Sequence, residues 1–175
     1  MVGAFLAWMF IGGGKTGDGA KAVLDVVSNA ADLEVKNFRY SQVGDPDFQW
    51  EVTADRARYM KTNEEVHLEQ VVVRLVSKTG RVYHMTGDRG VLDNGTGDME
   101  ITGSVVVNSD RGERLETETL RYRAAEKKVR TDDNVEMYRD DMRISGTGMI
   151  ITLDGNEMVL SSNVKAVISN VSLFY

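Results

Sequence analysis

The chain has 175 residues and a net charge of −6, with charges of both signs spread along it. No basic stripe is available to neutralise phosphates, which argues against nucleic acid as a partner. Cysteine is absent, which excludes a disulfide framework and thiolate metal sites, and 42% apolar with 27% charged residues fits one ordinary globular domain.

The first segment stands apart. Residues 1–14 carry no charge and include the unbroken apolar run Phe5–Ile11. That run is shorter than the roughly 20 residues a membrane helix needs, and no basic residue precedes it as in a secretory leader. Three readings stay open: the end of a truncated, helical membrane anchor, a clipped leader, or a buried segment. The interfacial aromatic Trp8 favours the anchor. Residues 15–32 read as a linker with a short helix around Ala20–Ala31, and residues 33–175 as the folded domain.

From Leu33 the pattern becomes period two. It predicts strands over 33–41, 48–54, 66–76, 81–86, 98–108, 114–122, 128–131, 134–138, 143–152 and 158–168, with 171–175 as a further edge. Turn signals separate them: Gly44-Asp45-Pro46-Asp47, Lys78-Thr79-Gly80, Asp93-Asn94-Gly95, Asp110-Arg111-Gly112 and Asp154-Gly155-Asn156. Turns this short require mostly antiparallel pairing, so the fold class is all-β.

A pattern recurs four times along these strands. Thr53, Thr86, Thr117 and Gly146 open the copies; Leu68, Ile101, Thr131 and Leu160 follow, and four residues on come Val72, Val105, Val135 and Val164. Such a period predicts stacked strand-pair units sharing one core. Alternation puts Trp50, Val52, Leu68, Val72, Val76, Ile101, Val105, Val107, Leu115, Val135, Met137, Ile144 and Leu160 on one apolar face, continued by Val164, Ala166 and Ile168. Such a face is either a closed core or the lining of a groove for an apolar ligand.

The sequence offers no catalytic constellation. Gly12-Gly13-Gly14-Lys15-Thr16 lacks the first glycine of a phosphate-binding loop, with Met9 in its place. His67 and His84 have no third ligand of matching spacing, so no metal or cofactor is expected. No Gly-x-Ser-x-Gly elbow occurs, and nothing selects an acid–base pair among the 27 acidic residues for polysaccharide hydrolysis.

Five segments in order resemble a known family. They are Trp50–Ala57, Gly97–Val107, Leu115–Tyr122, Val129–Thr131 and Ile144–Met149. Together they are similar to LptC, the membrane-anchored periplasmic component of lipopolysaccharide export, over about Leu33 to Ile168. The resemblance implies a twisted, partly open antiparallel β-jellyroll of about four strand-pair repeats. Its apolar groove, here the thirteen residues from Trp50 to Leu160 named above, holds the acyl chains of lipopolysaccharide. It implies a single helix in a Gram-negative inner membrane, an N-terminal edge that meets the LptB/LptF/LptG transporter, and a C-terminal edge (Val164, Ala166, Ile168) that pairs with LptA. Open edges would also allow self-association. The alternatives are a soluble LptA-like component, a scaffold with a dry core, and an enzyme acting on polysaccharide.

Overall fold

The computed structural model describes residues 32–42, 48–153 and 157–169. The apolar leader, the linker up to residue 31, the turns around Pro46 and Gly155, and residues 171–175 lie outside them. Nine strands follow in chain order: β1 Asp32–Gln42, β2 Phe48–Met60, β3 Glu65–Ser77, β4 Val82–Asp93, β5 Met99–Ser109, β6 Arg114–Arg123, β7 Lys128–Arg139, β8 Met142–Thr152 and β9 Glu157–Ile168. Each pairs antiparallel with its chain neighbours, and β1 and β9 form the two edges of one open sheet. Short hairpins make this order the natural one. At the β4–β5 turn, for example, Asp93 Oδ1 accepts the Gly95 and Thr96 N–H groups at 2.8 and 2.9 Å, and Gly97 takes φ +77°.

The strands are longer than alternation predicts. β2 runs six residues past Ala54 to Met60, β4 runs on from Thr86 to Asp93, and the stretches 128–131 and 134–138 are one strand. The reason is a break of phase in mid-strand. In β3, Val66 and Leu68 are buried, Glu69 and Gln70 are exposed, and burial resumes at Val71 and Val73. The same break occurs in β2 at Asp55-Arg56 and in β4 at Asp88-Arg89. A period-two pattern read along such a strand ends where the phase changes.

These breaks line up. Asn37, Asp55, Gln70, Asp88, Gly103-Ser104, Glu118, Asp132-Asp133 and Gly148 lie side by side across β1 to β8, and Asn163 of β9 lies opposite Gly146, two residues along β8 from Gly148; at each the pairing ladder is interrupted. Asn37, Gln70, Gly103, Ser104, Gly148 and Asn163 have φ between +48° and +85°. An L-residue tolerates this left-handed conformation best when it is glycine or asparagine, and least when it is β-branched. The row is therefore a crease, written in polar and small residues.

Along the crease the sheet folds over on itself. Trp50 lies near the start of β2, and Tyr122, near the end of β6, aligns through register with Tyr59 at the other end of β2; in a flat sheet the two rings would be about 35 Å apart, about 19 Å across four strands and about 30 Å along them. Their ring centroids are 5.0 Å apart. Between the two leaves lies a core that includes Phe38, Val52, Leu68, Val71, Val73, Ile101, Val105, Val135 and Met149. Close approach at the crease leaves no room for a side chain on Gly87: a Cβ there would stand 2.4 Å from Ile101 Cγ2.

Candidate functional site

Register assembles the apolar face into continuous rows. On one leaf Tyr40, Val52, Val73, Met85, Val107, Leu115, Met137, Ile144 and Ala166 are successive cross-strand partners, one from every strand. On the other leaf the row is Leu33, Tyr59, Val66, Leu92, Met99, Tyr122, Val129, Ile151 and Met158. Every member is apolar or aromatic. The two residues of a strand lie seven or eight positions apart, as Leu33 and Tyr40 do in β1 and Met158 and Ala166 in β9.

Burial varies along the first row. Val52 and Val73 are sealed, whereas Met85, Val107, Leu115, Met137 and Ile144 are half-buried and Ala166 is exposed. On this leaf the interior is thus closed beneath β2 and β3 and opens toward β9, while on the other leaf Val66, Met99 and Val129 are buried. At the closed end, burial of the Tyr40 ring pushes its phenol above the ordinary value, since the phenolate is the form that loses hydration.

The thirteen expected lining residues divide accordingly. Val52, Leu68, Ile101, Val105 and Val135 are core, with Val105 at 0% exposure. Trp50, Val76, Val107, Leu115, Met137, Ile144 and Leu160 are half-buried. Val72 does not belong with them. It is 40% exposed, because the phase change at Gln70 turns Val71 and Val73 inward in its place. Sequence reading missed Tyr40, Tyr59, Met85, Leu92 and Tyr122. Their signal is the seven-or-eight spacing, which a strict period of two passes over.

The four sequence copies fall on β2–β3, β4–β5, β6–β7 and β8–β9, each straddling the crease. Three of their threonines bond to backbone groups beside the crease. Thr117 Oγ1 donates to the Asn134 carbonyl at 2.9 Å, and Thr131 Oγ1 accepts the Asp133 N–H at 3.1 Å. Thr53 Oγ1 reaches the Val72 carbonyl at 3.4 Å. Two shallow hollows flank the crease, one of about 490 Å³ between β5, β6 and β7 and one of about 260 Å³ between β1, β2 and β3. Neither includes a member of the two rows.

Charges lie outside. Arg121 bridges Glu100 and Asp132 at 2.7 and 3.0 Å, and Arg123 meets Asp98 at 2.7 Å. Where the β3–β4 and β5–β6 turns approach, Glu113 accepts a hydrogen bond from Ser109 Oγ and pairs with Arg81 at 2.6 Å and with Arg139 at 3.9 Å. The Ser109 hydrogen bond first, and the two guanidiniums after it, hold the Glu113 carboxyl below its ordinary value. Among the described residues no three His, Asp or Glu side chains converge as a metal site, and no helix is long and apolar enough to cross a membrane. His67 instead contacts Glu65 at 2.9 Å.

The β9 edge is apolar and open. Val164 and Ile168 are 58% and 59% exposed, and Met158, Val159 and Val167 are exposed too. The Ser169 N–H donates to the Asp141 carbonyl at 3.0 Å, which sets the pairing phase with β8. In an antiparallel ladder only alternate residues bond to a given neighbour. Lys165 and Val167 therefore bond to β8, while Val164, Ala166 and Ile168 direct their N–H and C=O groups outward.

No curated protein matches the chain. The family model described as Lipopolysaccharide-assembly, LptC-related matches residues 1–169. That span takes in every described strand, both apolar rows and the open edge, and the chain belongs to the LptC family.

Proposed function

We propose that the chain, as a member of a family of lipopolysaccharide-transport components rather than enzymes, binds the acyl chains of lipopolysaccharide along its two apolar rows and passes them across β9 to LptA. The observation that carries this reading is the continuity of those rows from one sheet edge to the other. A groove for one small ligand needs an apolar patch, whereas a conduit needs apolar surface at every strand, including both edges. Burying acyl chain yields about 0.8 kcal/mol per methylene, so a track half-open from β4 to β9 holds lipid without any chemistry. Natural sheets blunt their edges against further pairing; β9 instead carries exposed valines and isoleucine with Lys165 as its one charge between Ser161 and Ile168, which suits addition of a partner strand. The β1 edge and the N-terminal segment would face the LptB/LptF/LptG transporter, with the chain held as a single-pass protein of the inner membrane. In this reading the creased sheet is the β-jellyroll of the family, and its four strand-pair copies are the repeating units of the track.

Photo-crosslinking residues at Trp50, Val107, Met137 and Ile144 test the lipid reading. Lipopolysaccharide adducts are expected at the half-buried positions, and a folded protein with none at all four sinks it. A second reading, a scaffold with a dry interior, is favoured by the sealed set from Val52 to Val135. Mass spectrometry of gently purified protein separates the two, since the scaffold carries no lipid.

A further inference from the structure

Asn163 sits where the crease reaches the β9 edge. We infer that it passes the crease to the docking strand and so selects which strands can dock. This rests on the reading of β9 as a docking edge, and it adds what kind of strand fits there.

Asn163 has φ +53°, and the β8–β9 register slips by one residue around it. It is tied inward: its Nδ2 donates to Thr147 Oγ1 at 3.4 Å, and Thr147 Oγ1 donates to Asn134 Oδ1 at 3.0 Å, a relay across β9, β8 and β7. The edge therefore offers two straight runs, 157–162 and 164–168, which meet at a fixed bend. A straight strand follows one run and leaves the other. A strand that pairs with both must interrupt its own ladder opposite Asn163, as each of the nine strands does opposite its neighbour. None of the nine crease positions holds an apolar or β-branched residue. Unpaired backbone groups at a crease need water or polar side chains, and a left-handed residue disfavours β-branching.

The partner is accordingly an edge strand of a second β protein with two apolar residues seven or eight positions apart. These continue the rows beyond Ala166 and Met158, and between them stands Asn, Asp, Gln, Glu, Gly or Ser. The β1 strand of this chain shows that such a strand is buildable, with Leu33, Asn37 and Tyr40 in those places.

The test uses the full chain with purified LptA as the probe. Photo-crosslinkers are placed singly at Ser161 and Val164, one on each side of the bend. They are introduced into the parent chain and into Asn163→Gly and Asn163→Val. The parent and Asn163→Gly should crosslink from both positions. Asn163→Val, with unchanged melting, should lose about tenfold from at least one of them, the factor expected when a β-branched residue is forced to left-handed φ. The partner residue opposite Asn163, read from the adducts by mass spectrometry, should be polar or glycine. Undiminished crosslinking of Asn163→Val from both positions overturns the inference and leaves docking standing, as does an apolar partner residue opposite Asn163. No crosslink from the parent at either position removes the docking reading, and this inference with it.

Discussion

Strands β1 to β4 and strands β4 to β9 cross the same crease in different ways. In the first group each pair keeps one register from end to end, skipping a single partner at Asn37–Asp55, Asp55–Gln70 and Gln70–Asp88. In the second group every pair slips by one residue at the crease. An inserted residue bends a strand and increases its local twist. On the leaf that carries Tyr40 and Ala166, Val52 and Val73 of the first group are sealed between the half-buried Tyr40 and Met85, and the row members from Val107 to Ile144 are half-buried. That leaf thus has a closed part at β2 and β3 and an open part toward β9 without a change of topology between them.

Substitutions at the two ends break or sharpen this contrast. The largest effect belongs to a charge at the crease: Val105→Asp places a carboxylate at a fully buried site, and an unpaired charge there should abolish cooperative melting by circular dichroism. Truncation comes next. Leu68→Ala at the closed end should cost about 2–5 kcal/mol in urea unfolding. Met137→Ala, half-buried at the open end, should cost about 1 kcal/mol and reduce lipid adducts more than it reduces stability. If both cost the same, the division into closed and open ends is wrong. Gly87→Ala should destabilise by about 1–3 kcal/mol through overpacking against Ile101, and a neutral result would show that the leaves separate easily at β4.

A smaller effect concerns acid. The Glu113 carboxyl titrates below its unfolded value, so its contribution to stability is present above the unfolded pKa near 4.5 and is lost as pH falls through the lower folded value. Urea midpoints should decline across that window, and Ser109→Ala, which removes the leading cause, should flatten the decline. The smallest effect is expected at Arg56–Glu69, 3.9 Å apart with both side chains more than half exposed. Its removal should change stability by less than about 1 kcal/mol.

Much of the fold is legible before any coordinates. Turn chemistry and period two are local properties, so the all-β class, the hairpins and the apolar edge at β9 follow from them. The crease is not local in this sense. It requires Asn37 to be compared with Gln70 and Asn163, residues that meet only through register. A reader who keeps one phase along β3 places Val72 inside and misses Val71 and Val73. The cue lies in the residue types, because a lone Asn, Asp, Gln or Gly in the middle of an apolar strand marks a change of phase. The division of the expected lining residues into sealed and half-buried sets depends on how tightly two leaves approach, which no single strand encodes.

Because every strand pairs only with those before and after it in the chain, no pairing has to wait for a distant segment to be found. Each step closes one hairpin, and the entropy of closing so short a loop is small. A chain delivered from its N-terminus can add strands in order of arrival, each on a finished template. Among the described strands β9 is then the last to join, so a protein halted in mid-assembly already holds the sealed part at β2 and β3 and lacks the edge proposed above for docking.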